Sequence, residues 1–185
     1  MGRVAGKIAI VTGGGTGIGR AAATRLAEEG AIVTIAEFDA ANGQAVAEEL
    51  GGDAAFVEHD VREEASWQNL MKSVADRHGR PDILVNNAGI LATNNNQELA
   101  VTDLEQWRAV QQVNVEGVFL GCKYGVDAMI ANGGRAKGGA GGGAIVNMSS
   151  IAGLVATAHL VAYGASKGAV RQMTKSVAID CAKKG

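Results

Sequence analysis

The sequence predicts an α/β fold in which a doubly wound parallel sheet is covered by helices on both faces. Short β-branched runs alternate with longer helical patterns along the whole chain, and the runs are continuously apolar. Glycines mark several of the turns between them. Continuous apolar strands are typical of parallel sheets that are buried on both faces. Right-handed crossovers then favour a three-layer αβα arrangement, in which ligands bind beyond the carboxyl ends of the strands.

The predicted elements follow one another in regular order. We expect strands at residues 8–12, 32–36, 56–59, 83–85 and 145–147, and helices at residues 17–29, 40–50, 64–78 and 163–184. A capping-box sequence at residues 102–105 opens a further helical region. This region extends to residue 131 and is expected to break near residues 114–117.

A glycine-rich stretch at residues 133–143, "GGRAKGGAGGG", precedes the fifth strand. Such a stretch has too few side chains to bury itself, so it is interpreted as a flexible surface segment. It lies at the amino end of its strand, away from the edge where ligands are expected. We therefore expect deletion of residues 135–141 to leave activity intact.

Composition limits the possible functions. The 185 residues suit a single domain, and 47% hydrophobic with 19% charged residues indicates a globular one. The net charge is −2 with dispersed cations, which predicts no nucleic-acid partner. No run approaches the roughly 18 to 20 apolar residues of a membrane span. The two cysteines form no CxxC pair, so we expect a cytoplasmic protein without disulfides and no bound metal.

The turn after the first strand reads "TGGGTGIG" and joins that strand to the first helix. A phosphate at a helix N-terminus needs free N–H groups and a backbone with no side chain in the way. Gly13, Gly17 and Gly19 supply the tight turn, the close approach and the helix-to-strand contact, with Thr16 and Ile18 between them. The alternative is a tight strand-to-helix connection without a ligand.

The predicted second strand is followed by an acidic residue, Glu37, which lies 18 residues after Gly19. A carboxylate there can accept hydrogen bonds from the hydroxyls of an adenosine ribose, and it repels a 2′-phosphate. No Lys or Arg lies in the glycine turn or directly after Glu37, which favours NAD over NADP. Phe38 adjoins this site. Asp60 and Val61 end the third strand, where an adenine amino group would be met. Solvated strand ends are the alternative for both acids.

One of the two tyrosines, Tyr163, precedes Lys167 by four positions in the sequence "YGASK". Residues i and i+4 of a helix share a face, so the phenol and the ammonium would stand side by side. At about 5 Å and an effective dielectric near 20, the ammonium would favour the phenolate by roughly 3 kcal/mol, or about two pKa units. The alternative is a chance pair on a surface helix.

Together these motifs resemble the short-chain dehydrogenase/reductase family, which has a Rossmann fold. The glycine turn, Asp60, "NNAG" at residues 86–89, Asn114, Ser150 and the Tyr163–Lys167 pair appear in that family's order and span most of the chain. The strings "FVEHDV", "NNAGIL", "VFLGC" and "NMSS" are similar to bacterial hydroxysteroid and secondary-alcohol dehydrogenases.

The resemblance implies a role for each matching residue. Tyr163 would be the acid/base, and Lys167 would activate it and contact the nicotinamide ribose. Ser150, 13 residues before Tyr163, would bind the substrate oxygen, with Ser149 as its rival. Asn114 would hold a water that relays protons. The implied cofactor-binding set is Gly13, Thr16, Gly17, Ile18, Gly19, Glu37, Phe38, Asp60, Val61, Asn87, Ala88, Gly89, Tyr163 and Lys167, whereas Asn86 would brace the strands.

The function implied is hydride transfer between NAD(H) and a secondary alcohol or ketone, including cyclic or steroid substrates. Residues 91–96 and 154–161 are expected to line the substrate pocket. Two alternatives stay open, namely a 3-oxoacyl-type carbonyl reductase and a catalytically weak or silent dinucleotide-binding or assembly protein. The resemblance also implies a homo-oligomer, a dimer or tetramer. Beyond residue 185 it implies further strands and a substrate lid, so the sequence corresponds to a C-terminally incomplete family domain. The glycine-rich stretch is an insertion that the compact members lack.

Overall fold

The structure, a computed structural model, describes residues 2–92, 97–131 and 142–184. Its five strands, all parallel, lie in the order β3-β2-β1-β4-β5. Their bounds are β1 Ile8–Thr12, β2 Ile32–Glu37, β3 Ala55–Glu58, β4 Ile83–Asn86 and β5 Ala144–Asn147. The order reverses between β1 and β4, so a crevice forms at the carboxyl ends of these two strands. The predicted doubly wound parallel sheet is confirmed.

Six α-helices cover the sheet in the described part of the chain. Their bounds are α1 Gly17–Glu28, α2 Ala40–Leu50, α3 Glu64–His78, α4 Leu104–Gln111, α5 Gly117–Ala131 and α6 Val161–Cys181. A short 3₁₀ turn, Ile151–Gly153, follows β5. The predicted element bounds are confirmed to within one or two residues, except that α6 ends at Cys181, three residues before the expected end.

The two faces of the sheet bury alternate side chains of the central strands. Ile10 packs in one cluster with Trp67 of α3 and Met129 of α5. Its neighbour Val11 packs in the opposite cluster with Ala23 of α1 and residues of α2. Because successive strand side chains point to opposite faces, this alternation gives the three layers. Helix α6 joins the first of these faces by packing on α5.

The predicted capping box is wrong in its capping residue. The N-cap of α4 is Asp103, whose carboxylate accepts a hydrogen bond from the Gln106 N–H at 2.7 Å. The hydroxyl of Thr102 instead donates to the Glu98 carbonyl. A carboxylate is the stronger acceptor at a helix N-terminus, where it also benefits from the helix dipole.

The break expected near residues 114–117 is a π-helical segment, Gln112–Glu116, between α4 and α5. Such segments insert an extra residue into a helix and frequently lie at functional sites. Asn114 lies within it, fully buried. The helical region therefore continues through the expected break.

The glycine-rich stretch at residues 133–143 lies outside the described residues, apart from Gly142 and Gly143. Its interpretation as a flexible insertion and the deletion of residues 135–141 remain predictions. In the described ranges, no helix is both long and apolar enough to cross a membrane.

Candidate active site

A cavity of about 670 Å³ opens at the carboxyl edge of the sheet. All five strands contribute to it, through the residues that end them or follow them. Its wall contains every residue that the sequence predicts to bind the cofactor, from Gly13 through Lys167. Further lining residues are His59, Arg62, Ile90, Leu91, Val113, Met148 and Ser149. The volume lies within the range of about 300–1,000 Å³ that is typical of small-molecule sites.

The glycine turn packs so closely on the end of β4 that side chains are excluded from it. Gly13 has φ +62°, and a Cβ there would lie 2.9 Å from the Ala88 Cα. A Cβ at Gly19 would overlap the Gly13 carbonyl oxygen. The Asn87 amide donates to the carbonyls of Thr12 and Gly13 at 3.0 and 3.1 Å, which fixes the turn.

The start of α1 is free of competing polar side chains. Thr16 is the N-cap and has extended backbone, but its hydroxyl makes no capping hydrogen bond, and the first turn carries no acidic residue. The N–H groups of the first helical turn therefore lack a side-chain acceptor from the cap. This geometry suits a phosphate group, which such helix ends bind through N–H groups and the helix dipole.

The carboxylate of Glu37 is anchored by three backbone N–H groups. It accepts hydrogen bonds from Gly15 at 2.9 Å, from Phe38 at 2.9 Å and from Asp39 at 3.2 Å. A Cβ at Gly15 would lie 2.9 Å from the Glu37 Cγ, so glycine is needed beside the carboxylate. The negative charge at the end of β2 is therefore fixed in position.

A guanidinium group also lies in this part of the cavity, through a residue that the sequence reasoning missed. Arg62 donates from Nε to both carboxylate oxygens of Asp60, at 2.9 and 3.1 Å, and from Nη2 at 2.6 Å. Its Cζ lies 5.8 Å from the ring centroid of Phe38. These hydrogen bonds lower the pKa of Asp60. No sequence pattern marks Arg62, because the turn after β3 brings it to Phe38 through space.

Buried polar groups support the turn that carries Asp60 and Val61. The Ser66 hydroxyl lies 2.8 Å from His59 Nδ1 and accepts the Asp60 N–H at 3.1 Å. The Trp67 indole donates to the Val61 carbonyl at 2.9 Å. Burial lowers the pKa of His59 to about 4, so this imidazole is neutral near pH 7.

Tyr163 and Lys167 share one face of α6, as their spacing predicts, and both line the cavity. Lys167 Nζ lies 5.7 Å from the centroid of the phenol ring and donates to the Met148 carbonyl at 2.7 Å. Only 4% of the Lys167 surface is exposed, and this burial lowers the pKa of its ammonium. No described carboxylate pairs with the ammonium, so its charge acts on the phenol without competition from an anion.

Neither Asn114 nor Ser150 is in the cavity wall. The Asn114 amide is engaged with Ile90, accepting from its N–H at 2.8 Å and donating to its carbonyl at 2.9 Å. It also donates to the Ser166 hydroxyl at 3.0 Å. The side chain therefore ties the π-helical segment to the loop after β4. The predicted water relay stays a prediction.

The two neighbouring serines differ in their hydrogen bonds. Ser149 lines the cavity, but its hydroxyl donates to the Lys167 carbonyl at 2.9 Å. The Ser150 oxygen accepts from the Ala152 N–H at 3.2 Å, and its proton has no acceptor among the described residues. Ser150 is thus the serine whose proton is available to a substrate oxygen, and its role stays a prediction.

Other expectations for the site divide between right and wrong. Asn86 braces β4 to β5, because its amide donates to the Asn147 side chain at 2.8 Å. Leu91 lines the cavity, whereas residues 154–161 do not. Residues 93–96, expected to line the same pocket, lie outside the described ranges.

Comparisons with known proteins agree with this geometry. The family described as "short chain dehydrogenase" matches residues 7–185. The chain is 44% identical to an NADP-dependent (R)-specific alcohol dehydrogenase of Lentilactobacillus kefiri, over 98% of this chain and 69% of the relative. It is 38% identical to a 3-beta-hydroxysteroid dehydrogenase of Comamonas testosteroni, over 99% and 67%.

A solved structure, 3-ketoacyl-(acyl-carrier-protein) reductase from Brucella melitensis complexed with NADH, superposes with a TM-score of 0.90 at 35% identity. The superposition covers 97% of this chain and 72% of the reductase. With the matching fold and the clustering of the family's motifs in one cavity, these similarities identify the chain as a member of the short-chain dehydrogenase/reductase family of oxidoreductases.

Proposed function

We propose that this protein transfers a hydride between NAD(H) and a secondary alcohol or its ketone, with Tyr163 as acid/base. The observation that carries the proposal is the placement of Lys167 Nζ, 5.7 Å from the phenol ring centroid, in the same cavity as Glu37 and the glycine turn. Such a cavity can hold a dinucleotide at one end and a reacting alcohol at the other. Secondary alcohols are favoured because both curated relatives named above act on alcohol groups by name.

The described residues fit a dinucleotide. The backbone around Gly13 and Gly19 leaves no room for side chains, so the N–H groups at the start of α1 would face the phosphates of a bound dinucleotide. Glu37 would accept ribose hydroxyls, and Phe38, Asp60 and the residues after β4 would surround the adenosine. When bound, NAD supplies the hydride acceptor for alcohol oxidation and, in its reduced form, the donor for ketone reduction.

Side chains of the protein carry out the transfer of the substrate's hydroxyl proton. In the oxidative direction, Tyr163 Oη takes the hydroxyl proton of the alcohol as a phenolate that the Lys167 ammonium stabilises. Ser150 would donate its free proton to the developing oxygen charge. Lys167 has three donor hydrogens, and Met148 is its one described hydrogen-bond acceptor. The other two can bind a ribose hydroxyl or a proton-relaying water near Asn114.

We infer that NAD is preferred over NADP because Glu37 is held in place by three N–H groups. A fixed carboxylate would repel a 2′-phosphate and could not easily turn away from it. The Brucella reductase was solved with NADH, whereas the Lentilactobacillus dehydrogenase is NADP-dependent. The preference therefore rests on the residues of this chain.

A second candidate function is reduction of a 3-oxoacyl group, which the similarity to the Brucella reductase favours. Tyr163 would then protonate the ketone oxygen, and the residues after β5 would face an acyl chain. Rates with a 3-oxoacyl thioester and with cyclic ketones, measured on the same preparation, distinguish the two functions.

The proposal is tested by comparing Tyr163→Phe with Tyr124→Phe, because these are the only two tyrosines of the chain. Tyr124 is half-buried, and its hydroxyl donates to Glu64 outside the cavity. NADH formation is followed with cyclopentanol, cyclohexanol and 1-phenylethanol. We expect Tyr163→Phe to lose roughly 10²–10⁴-fold in rate while it still binds NADH, and Tyr124→Phe to match the wild type. Equal rates for all three proteins would contradict the acid/base role.

We also propose that the protein forms a homo-oligomer through α5 and α6. Phe119 on α5 and Ile179 on α6 are large apolar side chains that are 54% and 77% exposed. Light scattering of Phe119→Glu and Ile179→Glu variants tests this proposal, since buried charges would dissociate such an interface. An unchanged mass in both variants would contradict it.

A further inference from the structure

The N-terminus of the helix that carries Tyr163 has no cap of its own. Helix α6 begins at Val161, and Leu160 before it provides no side-chain acceptor. His159, one position earlier, has φ +58°, which is uncommon for a residue other than glycine. The N–H groups of the first helical turn need acceptors from elsewhere, because no carbonyl within the helix reaches them.

Gln97 supplies two of these acceptors from the loop before α4. Its side-chain Oε1 accepts a hydrogen bond from the Tyr163 N–H at 2.8 Å, although it lies 66 residues away in sequence. Its main-chain carbonyl accepts from the Val161 N–H at 3.3 Å. A parallel β-bridge pairs Gln97 with Leu160. Gln97 therefore caps the N-terminus of α6, a role that normally belongs to the residue directly before the helix.

The nitrogen of the same amide is bonded to the wall of the cavity. Gln97 Nε2 donates to the Leu91 carbonyl at 2.6 Å, and Leu91 lines the cavity. Leu91 offers a carbonyl and Tyr163 an N–H, so the amide must direct Nε2 to Leu91 and Oε1 to Tyr163. Gln97 is 1% exposed, so water cannot replace it. A single buried side chain thus links the main chain of Tyr163 to the loop after β4.

We propose that Gln97 is a positioning residue for Tyr163, which sets the place of the phenol relative to the Leu91 side of the cavity. The proposal rests on the proposed function, in which Tyr163 exchanges a proton with the substrate. Displacement of a reacting group by about 1 Å can lower a rate roughly 100-fold, so loss of the link is expected to reduce kcat. The glycine turn and Glu37 are not bonded to Gln97, so the loss of NADH affinity should be much smaller than the loss of kcat.

Two substitutions of Gln97 test the two hydrogen bonds of its side-chain amide. Gln97→Met keeps the side-chain length and removes both hydrogen bonds. Gln97→Glu keeps an acceptor for the Tyr163 N–H, but its ionised carboxylate cannot donate to the Leu91 carbonyl. Once protonated, the carboxyl group restores the donor and reproduces the pattern of the amide. Burial favours this neutral form.

The test measures kcat for cyclohexanol oxidation, Kd for NADH by fluorescence, and hydrogen exchange of the Tyr163 amide. Gln97→Met should lose roughly 10- to 100-fold in kcat, hold Kd within about twofold and lose protection at the Tyr163 amide. For Gln97→Glu, the ratio of its kcat to that of the wild type should rise as the pH falls. The matched control is Gln111→Met, because Gln111 Nε2 donates to the Ala162 carbonyl of the same turn without reaching the wall. Its kcat should stay within about threefold of the wild type.

Three results for Gln97→Met would overturn the inference. They are a kcat within twofold of the wild type, a loss of NADH affinity as large as the loss of kcat, or an unchanged rate of hydrogen exchange at the Tyr163 amide. If Gln97→Met does not fold, the inference is overturned instead by a Gln97→Glu kcat that is lower than the wild-type kcat by the same factor at every pH. Failure of the proposed function is recognised separately, since Tyr163→Phe would then retain full activity. If the wild type oxidises no alcohol, hydrogen exchange still decides whether Gln97 holds the Tyr163 amide.

Discussion

The carboxylate of Glu37 accepts a hydrogen bond from the Gly15 N–H at 2.9 Å, so the end of β2 and the glycine turn are joined. One group thereby does two things. It fixes the loop that would hold the phosphates, and it places a negative charge where a 2′-phosphate would lie. The two effects can be separated by experiment.

Glu37→Ala should weaken NADH binding about 10- to 100-fold, because hydrogen bonds to a charged group contribute about 1.5–3 kcal/mol each. The loss for NADPH should be smaller, because the variant also removes a repulsion. Glu58→Ala is the matched control, since Glu58 pairs with Glu37 in the sheet register but lies outside the cavity. Fluorescence titration with both dinucleotides measures the ratio of the Kd for NADPH to the Kd for NADH. If this ratio is unchanged in Glu37→Ala, Glu37 does not repel the 2′-phosphate.

Asp60→Asn should raise the affinity for 2′,5′-ADP relative to 5′-ADP, by roughly tenfold. The reason is that Asp60 engages the Arg62 guanidinium through both carboxylate oxygens, and the amide would release part of that cation. Arg62→Ala should lower the affinity for 2′,5′-ADP relative to 5′-ADP. Calorimetric titration with the two nucleotides provides the measurement.

The control for this pair is Arg20→Ala, because Arg20 forms an exposed ion pair with Glu49 and lies outside the cavity wall. Its ratio should equal that of the wild type. If Asp60→Asn and Arg62→Ala move the ratio in the same direction, the Asp60–Arg62 pair does not control recognition of the 2′-phosphate.

His59→Gln should reduce the loss of stability between pH 6.5 and pH 4. The pKa of His59 is lowered to about 4 by burial, so the unfolded chain binds a proton in this window and the folded chain does not. Stability from this residue is therefore complete above pH 6.5 and falls as the pH decreases, by about 3 kcal/mol in total. The Gln amide is uncharged throughout this pH window.

Urea unfolding at several pH values checks this prediction, with His159→Gln as the control because that side chain is exposed. Carboxylates also titrate in this range, so the informative quantity is the difference in slope between the variants. Parallel stability profiles for wild type and His59→Gln would contradict it.

Gly121→Ala and Gly168→Ala should change stability in opposite directions. A Cβ at Gly121 would overlap Asn86 Oδ1 and lie 2.8 Å from Trp67 Cη2, so overpacking should cost about 1–3 kcal/mol. A Cβ at Gly168 on α6 meets nothing closer than 3.8 Å, and helix propensity should stabilise it by about 0.5–1 kcal/mol. The free energy of unfolding in urea measures both effects. Destabilisation of equal size in both variants would contradict this explanation.

The sequence by itself determined the features that depend on neighbours along the chain. Continuous apolar runs predicted parallel strands, and glycine spacing predicted the turn at Gly13. The interval of four residues placed Tyr163 beside Lys167 on one helical face. These predictions succeeded because hydrophobic periodicity and helix geometry are local properties.

Tertiary structure alone decided which distant groups meet. The anchoring of Lys167 by the Met148 carbonyl, the clamp of Arg62 near Phe38 and the cap that Gln97 provides for α6 all join separate segments of the chain. No periodicity encodes such pairs. A buried N–H or ammonium group takes whichever acceptor the packed strands and helices bring within reach, and only the assembled sheet determines which one that is.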